Sequence, residues 1–269
     1  MLCVSVADFT GKGKNMKLSK TVLTIILLLN AHGIFAFTLL SGPSKATLPS
    51  TPDDPHVKFY WNGTVPTLTE KDKFEDGKYE DLSDEEFVKE LLTIAFDRWN
   101  DVKGSFLKMD VEQDDGIGTD TEDKVNAVVV KKSANPTIAA FAMPMVDAES
   151  NKIEDCDITV SDRETGAEEL LYTLVHEIGH CVGLGHTHTN YNALMGYSRV
   201  SRRPRLGLDD KAGLIYLYPD PKFDGPSKEF LACATLGVDS ARGSIAIFLL
   251  ISLPLLLAFR ARINTRRRN

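Results

Sequence analysis

Four of the six histidines in this 269-residue chain fall within "LVHEIGHCVGLGHTHTNYNALMGY", residues 174–197. His176 and His180 are four apart, so on a helix they lie one above the other and present two imidazoles to one point. Gly183 stands where such a helix could end in a left-handed turn and send the chain back, which would carry His186 to the same point. Three neutral imidazoles are a common catalytic zinc set, with the fourth tetrahedral position left to a water. Glu177, beside the first ligand, is placed to take that water's proton as a general base. The competing interpretation, a core helix that happens to carry histidine, explains neither the glutamate nor the third histidine. His188 does not fit the spacing and reads as a polar loop residue.

The neighbouring residues say what would position this set. Ala167, Leu170, Leu171, Leu174, Val175, Ile178 and Val182 recur at three- and four-residue steps, the stripe of a helix packed on a core. A second helix opens at Ser83, with Glu86 three residues on completing a capping box and Phe87, Leu91, Ala95 and Trp99 on one face. Strand signals fall at 56–62, 106–112, 125–132, 137–146 and 156–161. Interleaved strands and helices without internal repeats give an α+β fold class, α/β by another convention.

The run "HEIGHCVGLGH" has the pattern H-E-x-x-H-x-x-G-x-x-H and is followed by Met195 in "NALMGY". In both it resembles the metzincin zinc endopeptidases, whose methionine turn lies beneath the metal. Within that clan the chain is most similar to matrixins, the matrix-metalloproteinase-like branch of bacterial type. Thr187 stands where matrixins usually have serine, and "LGLDDKAGLIYLYP" (206–219) looks like their C-terminal helix. "VKFYWN", "AFDRWNDVKGSFLKMDV" and "CDITVSD" resemble their first strand, first helix with second strand, and the strand before the zinc helix. The resemblance implies a twisted five-stranded mixed sheet with two long helices and a small C-terminal subdomain ending in a helix. It implies one catalytic zinc on His176, His180 and His186, Glu177 as general base, Met195 as the metal's floor, and protein or peptide substrates. A non-catalytic, zinc-stabilised surface binding or adhesion module is the alternative. Tyr197, two after the methionine, is arranged as in astacins and serralysins, where such a tyrosine helps stabilise the transition state; a packed loop tyrosine fits equally. No propeptide cysteine switch is visible, and His32, His56 and His188 are too scattered to build the second, structural zinc of animal matrixins.

Both ends read as addressing segments. Residues 1–36, with Met16 as the expected start, have Lys17, Lys20 and an apolar run before Ala36, a signal-peptide pattern. Residues 37–55 are expected to be a flexible leader, Asp53 or Asp54 ligating the zinc being the alternative, and the catalytic domain is expected over 56–220. A linker over 221–243 leads to an apolar stretch at 244–260, a transmembrane segment or a sorting tag, and to a basic tail, 261–269. The expected product is a monomer exported across the membrane, its catalytic domain extracellular or periplasmic and its C-terminus anchored.

Subtracting the +3 of residues 1–36 and the +5 of residues 260–269 from the formal −7 leaves the intervening stretch at −15, which excludes nucleic acid as a natural partner. The densest acidic run holds Asp114, Asp115, Asp120 and Asp123, either a calcium site or a solvated loop. Arg199, Arg202, Arg203 and Arg205 follow the methionine turn, where they either favour an acidic side chain after the scissile bond or form a solvated loop. Cys156 begins the strand that feeds the zinc helix and Cys181 ends that helix; running back antiparallel, the two could meet as a disulfide or lie as two buried thiols.

Overall fold

A computed structural model of the chain describes residues 37–40, 44–118, 123–132, 135, 137–188, 192–197 and 203–223. The expected signal peptide, the 244–260 segment, the basic tail, Asp120, Arg199 and Arg202 lie outside the described residues, as does the linker beyond 223. No helix among the described residues is long and apolar enough to cross a membrane. In chain order the strands are β1 (Thr38–Leu39), β2 (His56–Trp61), β3 (Leu68–Thr69), β4 (Lys108–Gln113), β5 (Ala127–Lys131), β6 (Ala140–Val146), β7 (Ile153–Ser161), β8 (Thr165–Gly166) and β9 (Leu184–Gly185). The α-helices are α1 (Asp84–Asn100), α2 (Ala167–Cys181) and α3 (Leu208–Leu217).

Five strands form one mixed sheet in the order β4-β2-β5-β7-β6, parallel except for the antiparallel edge strand β6. Parallel neighbours need a crossover, and α1 supplies the one between β2 and β4. It starts where the capping box places it. Ser83 accepts from the Glu86 amide, and the Glu86 carboxylate accepts from the Ser83 amide at 2.9 Å. Phe87, Leu91, Ala95 and Trp99 are all buried, and Phe96 meets Phe59 of β2 with ring centroids 5.0 Å apart. In β2 the period-2 alternation turns Val57, Phe59 and Trp61 inward. Helix α2 crosses the same face, and the Trp99 indole N–H donates to the Val175 carbonyl at 2.9 Å, joining the two helices.

Strand boundaries differ from expectation by a few residues for identifiable reasons. The second strand starts at Lys108 because the Phe106 amide bonds the Tyr218 carbonyl instead of a sheet neighbour. Strand β7 starts at Ile153, earlier than expected, because it pairs along the whole of β6.

The expectation for residues 37–55 needs correction: much of this stretch is packed against the domain. Thr38 and Leu39 pair with Gly185 and Leu184, Thr47 bridges to Lys152, and Ala46 and Leu48 are fully buried. A short apolar strand and two small-to-medium apolar side chains find partners more than a hundred residues away, which outweighs the flexibility suggested by the surrounding prolines. Asp53 and Asp54 sit in an exposed turn, where the Asp54 amide donates to the Thr51 carbonyl and hydroxyl.

Candidate metal centre and cleft

Helix α2 ends at Cys181, and Gly183 takes φ +99°, the left-handed conformation that lets the chain reverse. The reversal brings His186 onto His176 and His180, whose ring centroids are then 4.6 to 5.0 Å apart. Among the described residues these three histidines form the group of three or more potential ligands that converges on one point, each offering an atom within 4.8 Å of the others. Their orientation is fixed from behind. Nδ1 of His176 bonds the Leu194 carbonyl at 3.1 Å and Nδ1 of His180 bonds the Leu184 carbonyl at 2.8 Å. A carbonyl can only accept, so each Nδ1 carries the proton and each Nε2 presents its lone pair. Burial pushes His176 down to about 3 and His180 to about 4, and lowers His186 as well. All three rings are therefore neutral at ordinary pH, as metal ligation requires. This donor set fits zinc: three imidazoles with the remaining side open to a cleft.

Glu177 follows the first ligand and is 7% exposed. Burial raises its carboxyl to about 7, opposed by a hydrogen bond from the Ala142 amide of β6. That amide lies on the free edge of the sheet. The Ser161 amide donates to the Ala139 carbonyl, so 139, 141, 143 and 145 face β7, while 140, 142 and 144 face outward. The cleft between this edge and α2 encloses about 480 Å³ and is lined by Ala139, Tyr172, Thr173, His176, Glu177 and Tyr197, among others. Arg163 and Glu169, paired at 2.7 Å, also line it.

Below the histidines the chain is tied twice. The Thr187 amide donates to the Met195 carbonyl and the Tyr197 amide to the Thr187 carbonyl, so the methionine turn is stitched to the residue after the third histidine. Met195 is 2% exposed and packs against Gly179, between the first two histidines on α2. A Cβ at 179 would stand 2.3 Å from the Met195 sulfur, so glycine is needed there for the close approach. The turn is also held from α3. Both Asp210 oxygens accept, from the amides of Leu194 (2.5 Å), Met195 (2.9 Å) and Gly207 (2.7 Å). Sequence reasoning missed Asp210; its signal was an aspartate at the third helical position after glycine, in "GLDD".

The sulfurs of Cys156 and Cys181 are bonded, tying β7 to the last turn of α2. Tyr197 is 69% exposed at the mouth of the cleft, its ring 5.8 Å from His186 and 5.0 Å from His188. His56 pairs with Asp110 at 2.7 Å on the sheet edge. In the acidic run, Asp114 accepts from the Gly116 amide, Asp115 from the Gln113 amide group and Asp123 from the Val125 amide, each bond local.

The sequence matches the matrixin family model over residues 71–219. It is 31% identical over 155 residues to Metalloendoproteinase 2-MMP of Arabidopsis thaliana, a match covering 52% of this chain and 39% of that protein. The chain thus spans about two fifths of its relative's length. With the family model covering more than half of its residues, and a three-histidine centre built from two residues of the zinc helix and one just beyond it, the chain belongs to the matrixin family of metallopeptidases.

Proposed function

We propose that the protein is a zinc-dependent endopeptidase in which His176, His180 and His186 hold the metal and Glu177 is the general base. The observation that carries this is the convergence of three neutral imidazoles beside a buried carboxylate, under a free strand edge. When bound, zinc supplies Lewis acidity to water and to the scissile carbonyl. The chain's own residues do the rest. An extended peptide adds to the outward groups of Ala140 and to the carbonyl of Ala142, whose N–H is taken by Glu177, and pairing weakens at Pro144, which has no N–H to offer. Glu177, held by the Ala142 amide and shielded from solvent, takes a proton from the attacking water and passes it to the leaving amine. Tyr197 stands at the mouth of the cleft, where its hydroxyl is available to the developing oxyanion.

Export is part of the same proposal. A disulfide at Cys156–Cys181 is at home in an oxidising compartment, in agreement with the signal-like N-terminus. The apolar 244–260 segment and the arginines after it would leave the catalytic domain on the outer face of a membrane. Caseinolysis by the purified protein, abolished by chelator and restored by zinc, tests the activity. Zinc binding without hydrolysis of any peptide in a broad library would favour an adhesion module instead.

A further inference from the structure

We infer that residues 37–40 and 44–48, ahead of β2, act as a strap that positions the zinc loop and sets how tightly the metal is held. This rests on the zinc-peptidase reading above.

Of the five residues between the second and third ligands, Cys181 is held by its disulfide, and the other four, Val182–Gly185, are fixed by this segment or through it. The Leu40 amide donates to the Gly183 carbonyl at 2.9 Å, and β1 pairs Leu39 with Leu184 and Thr38 with Gly185. The Leu48 amide donates at 2.8 Å to the Tyr218 hydroxyl, which in turn donates at 3.0 Å to the Val182 carbonyl. Leu184, in the middle, carries the carbonyl that accepts from Nδ1 of His180. The strap thus pairs with the very residue whose carbonyl orients a metal ligand, and with its neighbours on both sides.

Two glycines of "GLGH" record the same contact. A Cβ at Gly183 would lie 2.3 Å from the Ala46 carbonyl oxygen, and one at Gly185 would lie 2.9 Å from the Leu39 carbonyl oxygen. The strap backbone occupies the space a side chain would need, so glycine at both positions suits a docked strap as well as a turn. At its far end Phe37 packs on Tyr216, with ring centroids 5.6 Å apart, and Lys45 Nζ sits 3.8 Å from the centre of the same ring. The Ile153 amide donates to Thr47 at 2.9 Å, so the strap also reaches the start of β7.

Coupling of this kind is reciprocal: if docking tightens zinc binding, zinc must tighten docking by the same factor. Two measurements on the full-length protein follow. The first is zinc affinity by chelator competition. Leu40→Pro removes the amide that bonds Gly183, and support lost behind a metal ligand weakens binding on the order of ten- to hundred-fold. Leu40→Val keeps the amide and should restore the affinity. Phe74→Ala, in the aromatic cluster with Tyr79 and Phe87, is a control that lowers Tm while leaving zinc affinity unchanged. The second is hydrogen exchange of the unmodified protein, where zinc should protect the Leu40 amide relative to the chelated form. An affinity for Leu40→Pro no weaker than that of the Phe74→Ala control, or equal Leu40 exchange with and without zinc, overturns the inference. If Leu40→Pro does not fold, the exchange measurement decides alone. Failure of the unmodified protein to bind zinc at all would instead sink the peptidase reading.

Discussion

Replacing Asp210 should cost more than any surface carboxylate, and its cost can be read from the bonds it makes. The side chain is 1% exposed and accepts from three backbone amides that have little access to water. Removing the acceptor strands three donors, and each buried unsatisfied group costs about 1–3 kcal/mol, so Asp210→Ala should lose about 4 kcal/mol after partial relaxation. Asp210→Asn is more discriminating. Its single carbonyl oxygen can keep the Leu194 and Gly207 bonds made by Oδ2, but its amide then faces the Met195 N–H, and about 2 kcal/mol should go. Urea denaturation of both variants with zinc saturating gives the two numbers. Because the lost bonds hold the turn that carries Met195 under α2, zinc affinity should fall in the same order as stability. If Asp210→Asn were as stable as the parent, or Asp210→Ala destabilised without weakening zinc, the link from α3 to the metal floor would be wrong.

Other outcomes follow from single features. Breaking Cys156–Cys181 by double serine substitution releases a closed loop of 25 residues, and chain entropy puts the loss at about 3.5 kcal/mol by thermal or urea melts; a change below about 1 kcal/mol would contradict this. Gly179→Ala drives a methyl into the Met195 sulfur and the Trp99 ring, and overpacking should cost about 1–3 kcal/mol. A neutral effect would mean the methionine turn has room to move. Asp157 is buried on β7, one of its oxygens has no hydrogen-bond partner, and burial with Asp155 nearby lifts its carboxyl from 3.8 to about 7. The folded state then holds the proton more tightly than the unfolded state, so stability falls as pH rises from about 4 to about 7. Asp157→Asn should reduce that slope, leaving the part due to Asp155, which burial lifts to about 6, and be more stable than the parent at pH 8 by about 2–4 kcal/mol. Equal slopes would show that the charge is compensated.

The centre was legible because its information is local. Four-residue spacing, a glycine at the helix end and a third histidine beyond it depend on neighbouring dihedrals alone, and these are what sequence displays best. Ser83 with Glu86, and the alternation of Val57, Phe59 and Trp61, were legible for the same reason. The strap was not. "FTLL" is short, follows an apolar run and precedes several prolines, and only its partners at 183–185 reveal it as a strand. Asp210 was hidden because what matters is the turn it reaches sixteen residues back, not the helix it begins. No local pattern marks Asp155 and Asp157 as buried, yet both are 1% exposed, because β7 lies inside the sheet between β5 and β6.

In the proposed mechanism Glu177 moves the proton and does not hold the metal. Glu177→Gln keeps the size and the acceptor for the Ala142 amide but removes the basic oxygen. Zinc content and peptide hydrolysis should be measured on the same purified sample. One zinc per chain should remain while hydrolysis falls on the order of 10²–10⁴-fold; undiminished hydrolysis, or loss of the zinc, would contradict the assignment.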